Sequence, residues 1–295
     1  DRHREGTALN NLGSALAEVR RFEEAITAHT QATAIARELG DRHREGQALN
    51  NLGLALRQVR RFEEAITAHT QAAAIARELG DRHSEGQALN NLGLALAEVR
   101  RFEEAITAHA QDLDICRVLG DRHREGQALN NLGLALAEVR RFEEAITAHT
   151  QATAIFRELG DRHREGQALN NLGLALAEVR RFEEAVTVLS QAVDIYRRLA
   201  ADSRSGHDSH LARSLLLLAW VGADVDEGRV LAGTLPAAQE AVELFGWLAI
   251  EHPAEFTGPL RAALELLAGA LDMLGRIEEA EQVRRRLTDM DPPEE

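Results

Sequence analysis

The sequence predicts an all-α repeat fold, a solenoid of about seven helical hairpins. Residues 1–200 are five copies of one 40-residue unit, and the copies at 41–80 and 121–160 differ at only four positions. Within each unit apolar residues recur at three- and four-residue steps, which is typical of amphipathic helices. A fixed period of this length indicates units that bury their apolar faces against their neighbours.

The first helix of each unit is predicted from a cap and an apolar stripe. In the second unit it runs from about Arg42 to Val59, and the carboxylate of Asp41 can accept the free amide hydrogens of its first turn. Gly53 lies mid-helix at a cost of roughly 1 kcal/mol relative to Ala, so we expect close approach of the partner helix there. The buried stripe comprises Ala48, Leu49, Leu52, Ala55, Leu56 and Val59.

The second helix of the unit is predicted from Phe62 to a left-handed glycine at Gly80. Glu63 and Glu64 lie in its first turn, where negative charge favours the helix dipole. Its alanines keep it thin and allow close packing. No segment alternates with a period of two, which argues against a β-propeller of similar period.

After residue 200 the 40-residue register breaks, so two parts are predicted: residues 1–200 with five units, and 201–295 with two degenerate helical pairs and an acidic C-terminal tail. The segment ADSRSGHDS is expected to be a polar connector, 210–222 a helix and 222–234 a loop. Pro236 would open the next helix. The final pair is predicted at about 258–274 and 277–290.

Composition excludes several classes of function. The net charge of −14 opposes binding to nucleic acid, and no apolar run approaches the ~18 residues of a membrane span. No secretory signal is visible, so we expect a cytoplasmic location. All 34 basic residues are Arg, which indicates a GC-rich coding sequence, and we expect an actinobacterial one. Because the chain starts with Asp1, we expect it to be part of a longer protein.

No pattern indicates an enzyme, a cofactor or a metal. There is no Gly-rich phosphate loop, and Cys116, the only cysteine, is expected to be a small buried residue. Equivalent histidines of successive units are too far apart to share a metal, since they are separated by about two helix diameters. One set, expected in the core, is His29, His69, His109 and His149; the other is His3, His43, His83, His123 and His163.

The unit resembles the tetratricopeptide repeat. Leu49-x-x-Leu52-Gly53-x-x-Leu56, then Phe62-x-x-Ala65, then Ala72 follow the family's spacing, with His69 at a usual aromatic position. HEAT and armadillo arrays of similar period lack this signature. Its 40-residue length is similar to Pins-type spindle-orientation scaffolds, kinesin light chains and the repeat tails of actinobacterial nucleotide-binding signalling regulators. The resemblance implies a right-handed α-α superhelix whose first helices line a concave groove.

The resemblance also implies a binding site for a peptide segment of a protein partner in that groove. The matching Asn contacts ligand peptides in the resembled families, and an Asn carboxamide can both donate to and accept from a peptide bond. This residue is Asn11, Asn51, Asn91, Asn131 or Asn171. The other candidates on the same face are Asn50, Asn90, Asn130 and Asn170; Gln47, Gln87, Gln127 and Gln167; Leu54, Leu94, Leu134 and Leu174; and Arg44, Arg124 and Arg164.

Charged residues are expected along both edges of this groove. Arginines at one edge include Arg4 and are interrupted by Ser84, while the other edge carries Glu18, Glu98, Glu138 and Glu178 with Gln58 as the exception. Opposite charges would orient a peptide; they could equally form a solvated face.

Alternatives stay open from the sequence. The asparagines could instead bridge neighbouring repeats, and the leucines could be covered by helix curvature. The near-identical units could serve self-assembly, with end-to-end packing through the first helix, and residues 200–260 could form the pocket of a small-ligand sensor. The departures of the third unit indicate either a specificity site or drift: Ser84, Ala110, Asp112, Leu113, Asp114, Cys116 and Val118.

Overall fold

The computed structural model describes residues 1–202, 204–223 and 228–290, and over these residues it is all-α. The predicted fold class is confirmed: within the described residues the chain forms fourteen helices, in consecutive packed hairpins, and no strand. The helices are α1 Arg2–Glu18, α2 Phe22–Glu38, α3 Arg42–Gln58, α4 Phe62–Leu79, α5 Arg82–Glu98, α6 Phe102–Leu119, α7 Arg122–Glu138, α8 Phe142–Leu159, α9 Arg162–Glu178, α10 Phe182–Asp202, α11 Arg204–Ala223, α12 Gly228–Glu251, α13 Pro253–Met273 and α14 Ile277–Thr288.

The helices group into two compact parts, residues 1–155 and residues 156–295. Within residues 1–155 each helix from α1 to α6 packs on the next one, and α1, α3, α5 and α7 also touch in succession. Within residues 156–295, α9 to α14 pack in the same consecutive way. The predicted division near residue 200 follows repeat register and stays a prediction.

Short, specific turns set the hairpin geometry. Asp41 caps α3 by accepting a hydrogen bond from the backbone N–H of Arg44, and Gly80 ends α4 in the left-handed conformation with φ 72°, both as predicted. Between α3 and α4 the left-handed residue is Arg60, with φ 62°, although only glycine adopts this conformation without steric cost. Its guanidinium lies 6.0 Å from the centre of the Phe62 ring, where a cation–π attraction offsets part of that cost.

Glycines inside the first helices accommodate side chains of the second helices. A Cβ on Gly53 would lie 2.5–2.8 Å from the ring atoms of His69, and one on Gly46 would lie 3.2 Å from Cγ2 of Ile75. The predicted close approach at Gly53 is therefore confirmed. The packing of Ile75 accounts for the glycine at position 46.

Three predictions beyond residue 200 are wrong. The polar connector is helical in its described residues, because α10 continues to Asp202 and α11 begins at Arg204. The predicted loop from 222 is helix up to Ala223 and again from Gly228; residues 224–227 lie outside the described residues. Pro236 lies within α12 and does not open it. The structure places the final pair at α13 and α14, close to the prediction, and residues 291–295 of the tail lie outside the described residues.

None of the described helices is both long enough and apolar enough to cross a membrane.

Candidate functional site

Within residues 1–155 the candidate residues lie on the first helices, at positions that we call the first-helix face: Arg44, Gln47, Asn50, Asn51 and Leu54 with their equivalents in α1, α5 and α7. The equivalent positions in α9 belong to residues 156–295 and are described by themselves. The other sides of these helices are occupied by the core, where Ala48, Leu49, Ala55 and Leu56 are buried. Four residues of the predicted core stripe are thus buried, while Leu52 and Val59 of the same stripe are half-buried.

In residues 1–155 the asparagines bridge neighbouring repeats. Nδ2 of Asn51 donates to Oδ1 of Asn10 over 3.2 Å. The same bond recurs from Asn91 to Asn50 at 3.1 Å and from Asn131 to Asn90 at 3.0 Å. The bridging alternative is therefore realised in the structure. It does not exhaust the amides, because each second asparagine uses one of its two N–H groups in the bond and its carbonyl oxygen can still accept a hydrogen bond. Asn91, however, is only 8% exposed, so its remaining groups are little accessible to a ligand.

In residues 156–295 the first asparagine of the pair, Asn170, has a different partner. Asn170 is 9% exposed and donates through Nδ2 to Oγ of Ser214 at 2.8 Å. Its Oδ1 is buried without a hydrogen-bond partner. The prediction that Asn170 offers a ligand an accessible amide is therefore weakened. Asn171 is half-buried and Asn11 is exposed.

Glutamine and leucine positions are the more accessible part of the first-helix face. Gln47, Gln87 and Gln167 are exposed and Gln127 is half-buried. Among the leucines, Leu134 is 44% exposed, whereas Leu54, Leu94 and Leu174 are half-buried. The leucines are therefore neither a fully exposed ladder nor covered, and each offers a ligand a small apolar patch.

The arginine edge is largely paired with carboxylates of the chain itself. Nη1 of Arg44 donates to Oδ2 of Asp41 at 3.0 Å, and Arg164 does the same to Asp161 at 2.8 Å. In the third unit, Ser84 takes the arginine's place and donates its hydroxyl to Asp81 at 2.7 Å. The acidic residues of the opposite edge are exposed, as predicted: Glu18, Glu98, Glu138 and Glu178, with Gln58 also exposed.

Two cavities open on the first-helix face of residues 1–155. One of about 90 Å³ lies between α1 and α3 and is lined by Asn10, Asn11, Arg44 and Gln47 among others. The other, of about 280 Å³, lies between α3 and α5 and is lined by Gln47, Asn50, Asn51, Leu54 and Gln87 among others. Five candidates thus line one cavity.

Departures in the third unit create a buried charged contact. Asp112, where the other units have Ala, is 2% exposed and accepts from Nη2 of Arg124 at 2.9 Å. Burial raises the pKa of Asp112 to about 6, against the opposing effect of Arg124. Burial also raises the pKa of the Cys116 thiol to about 12, and Cys116 is a small buried residue, as predicted.

Sequence reasoning missed a glutamate that joins successive units. Glu85 is 1% exposed and accepts from Nε of Arg77 in the preceding unit at 2.7 Å. It also accepts from Nη1 of Arg82 at 2.5 Å. The equivalents Glu45, Glu125 and Glu165 are bracketed in the same way. The recurring Arg-x-x-Glu spacing was the available signal, since residues three apart share a helix face.

The two histidine sets occupy different environments. His29, His69, His109 and His149 are almost fully buried, which confirms their predicted core position, and burial lowers the pKa of each to about 4. Of the other set, His163 lies in a cluster with Tyr196 and His210 in residues 156–295. Its ring lies 4.6 Å from that of His210 and 5.8 Å from that of Tyr196, and burial lowers the pKa of both histidines. No sequence signal placed His210 beside His163.

Comparison with solved structures identifies folds of the same kind. The signal transduction ATPase PH0952 of Pyrococcus horikoshii, with a tetratricopeptide repeat sensor, aligns over 96% of this chain and 42% of its own (16% identity, TM-score 0.75). A kinesin light chain protein of Podospora anserina with nearly identical TPR-like repeats aligns over 70% and 99% (20%, 0.59). A Rap protein in complex with Competence and Sporulation Factor aligns over 97% and 74% (18%, 0.57). At these identities the likeness concerns the fold alone.

No curated protein matches the chain in sequence. The model of the tetratricopeptide repeat family matches residues 4–78, 84–158 and 124–198, which together make up more than half of the chain. These matches coincide with the repeated units, in which Gly53 packs against the ring of His69. The chain belongs to the tetratricopeptide repeat family.

Proposed function

We propose that this chain binds an extended peptide segment of a protein partner on the first-helix face. The observation that carries the proposal is the 280 Å³ cavity between α3 and α5, where amide side chains and the apolar side chain of Leu54 open onto one surface. Mixed amide and apolar contacts suit a peptide backbone with its side chains.

The likeness to a Rap protein solved with a bound factor and to a tetratricopeptide repeat sensor of a signalling ATPase supports a recognition role. A part in a larger regulator or scaffold, inside the cell, belongs to the same proposal. The asparagine bridges do not conflict with it, because they hold amides in fixed positions and so reduce the entropy lost when a peptide binds.

The test is selection of a displayed library of random twelve-residue peptides on the full chain. Selected peptides are then measured on a variant with Leu54→Arg and Leu94→Arg, which obstructs the first-helix face. The matched control carries Thr67→Arg and Thr107→Arg, at exposed positions of the second helices, and so gains the same charge. We expect at least tenfold weaker binding by the first variant and unchanged binding by the control.

Substitution of the asparagines is a poorer test, because Asn91→Ala removes an inter-repeat hydrogen bond as well as a ligand contact. Equal binding by the Leu and Thr variants, or the absence of any selected peptide, would contradict the proposal.

Self-association is a second candidate, favoured by exposed apolar side chains on α1 and at its C-terminal cap. Leu12 and Val19 are 51% and 65% exposed, and large exposed apolar patches mark interaction sites. Light scattering over a range of protein concentrations tests it, with Leu12→Glu as the variant. A chain that stays monomeric at high concentration excludes this role.

A further inference from the structure

The cavities of the first-helix face repeat one structural plan, and the two of them differ by a single informative residue. Thirteen lining residues of the cavity between α1 and α3 have equivalents forty residues later in the cavity between α3 and α5. Only two of these pairs differ in identity, Thr7 with Gln47 and Arg44 with Ser84. Because Gln is larger than Thr, the first exchange would shrink the second cavity, whereas the exchange of Arg44 for Ser84 opens it. The second cavity measures about 280 Å³ against about 90 Å³ and also reaches Asn10 and Leu54.

The arginine side chain that the α3–α5 cavity lacks pairs with a carboxylate where it is present. At the α1–α3 cavity the guanidinium of Arg44 lies 3.0 Å from Oδ2 of Asp41. At the α3–α5 cavity the equivalent carboxylate, Asp81, receives only neutral donors: the backbone N–H of Ser84 at 3.0 Å and its hydroxyl at 2.7 Å. These two bonds lower the pKa of Asp81, so its carboxylate is charged at neutral pH. Its two oxygens retain accepting capacity.

The remainder of the wider cavity suits the stem of a long cationic side chain. Its floor is apolar, with Ala72, Ile75, Ala76 and Leu79 among the lining residues, and its walls carry Gln47 and Gln87. A volume of about 280 Å³ lies below the ~300–1,000 Å³ of pockets that take whole small molecules. A single side chain with an aliphatic stem and a charged head matches both the size and the polarity.

At the next junction, between α5 and α7, the chain again supplies an arginine, which limits the site to the α3–α5 junction within residues 1–155. There Arg124 turns to the buried Asp112 at 2.9 Å, and both groups lie against Gly86. The chain thus supplies the cation itself at the α1–α3 and α5–α7 junctions and leaves it out at the α3–α5 junction.

From this comparison we infer that the α3–α5 cavity is a specificity subsite for an arginine side chain of the bound peptide, whose guanidinium pairs with Asp81 in the position that the chain's own arginine occupies beside Asp41. Arginine fits better than lysine because its planar guanidinium can donate to both carboxylate oxygens. The inference deepens the proposed function, since it names the residue that the peptide presents.

The subsite is tested with small probes that do not depend on peptide binding. Nα-acetyl-arginine amide and its neutral citrulline analogue are titrated into the full chain, and the backbone amide resonances of Ser84 and Gln87 are followed by NMR. We expect the arginine probe to bind at least tenfold more tightly than citrulline. Ser84→Arg, which restores the residue of the other units, and Asp81→Asn, which keeps a helix cap, should each weaken it at least tenfold.

Arg44→Ser is the matched gain-of-function variant, because it creates a second cavity beside Asp41 and should add a second set of shifted resonances. Equal affinity for the arginine and citrulline probes, unchanged binding by Ser84→Arg, or equally tight binding of Nα-acetyl-lysine amide would overturn the inference. Selection of peptides without arginine would overturn it and leave the proposed function standing. Binding of the probe without any selected peptide would contradict the proposed function and support the subsite.

Discussion

The repeated hairpins of residues 1–155 and the terminal hairpins α11–α14 differ in the side chains that pack between their helices. In the repeats, mid-helix glycines receive a histidine ring, and buried glutamates lie between two arginines. In the terminal hairpins, buried leucines and alanines dominate, and Gly246, Gly258 and Gly269 have no atom near their Cβ direction, with Gly222 against Thr234 as the exception. The repeats therefore depend on a few matched contacts, each multiplied by the period, and the terminal hairpins on aliphatic side chains in general.

The largest expected difference concerns the buried glutamates. Glu85→Ala leaves Arg77 and Arg82 facing each other without their shared carboxylate, and breaking a buried ion pair typically costs about 3 kcal/mol or more. Both arginines are about half exposed, so we expect a loss at the lower end, about 3 kcal/mol, from urea unfolding followed by circular dichroism.

The matched variant in the terminal hairpins is Glu279→Ala, which removes an ion pair of similar geometry with Arg276 at 2.6 Å. Both partners of that pair are about half exposed, whereas Glu85 is buried, so the loss of the pair should leave the unfolding midpoint unchanged. Equal effects of the two variants would remove the distinction between the regions.

Alanine scanning of helical glycines should separate the regions by sign. Gly53→Ala places a Cβ into the ring of His69, which is enclosed in the core, and we expect a loss of about 2 kcal/mol. Gly269→Ala in α13 has open space around it and should stabilise the chain by about 1 kcal/mol, since Ala is the better helix former. Thermal unfolding midpoints measure both, and destabilisation by both would contradict the packing account.

The buried histidines make the repeats sensitive to acid. The pKa of His69 is about 4 in the folded chain because burial disfavours the charged ring, and it is near 6.5 when the chain unfolds. The unfolded state therefore binds more protons below pH 6.5, and stability falls as the pH decreases from 6.5 toward 4.

Repeat five supplies the replacement, because Leu189 occupies this position against Gly173. At pH 5, His69→Leu should gain about 2 kcal/mol over the parent chain relative to any difference at pH 7. Urea unfolding at the two pH values measures this difference. A difference independent of pH would show that the ring is not held neutral by burial.

How far the sequence predicted the structure depends on the same contrast. In residues 1–200 the period fixed helix type, the Asp caps, the left-handed glycines and the core stripe, because five copies repeat one local pattern. Beyond residue 200 single-copy signals misled: Pro236 resembles a helix start, yet it lies inside α12. Proline costs helix stability only where a hydrogen bond or space is lost, and tertiary packing can outweigh that cost.

The site was predicted as a set of positions and not as a geometry. Sequence periodicity placed Asn50, Asn51 and Leu54 on one face, but the bond between Asn51 and Asn10 joins residues forty-one positions apart, and its existence depends on how two units stack. The same applies to Asp112, whose partner Arg124 belongs to the next unit. Departures from the repeat were visible in the sequence; their partners required the structure.

The smallest expected effect concerns the turn between paired helices, which both regions share. Arg100 has φ 60° and Gly275, the equivalent residue between α13 and α14, has φ 72°. Arg100→Gly relieves about 1 kcal/mol of left-handed strain and loses a cation–π contact over Phe102 at 5.9 Å, worth roughly 0.5–1 kcal/mol. We therefore expect almost no net change in the unfolding midpoint.

Gly275→Arg meets the same strain without compensation, because Ile277 stands where the repeats have Phe and offers no ring. We expect a loss of about 1 kcal/mol, measured by urea unfolding. Arg100→Gly with Phe102→Leu already in place should then stabilise the chain, since only strain is left to relieve. A double variant less stable than Phe102→Leu alone would show that the arginine is held in the left-handed region by something other than the ring.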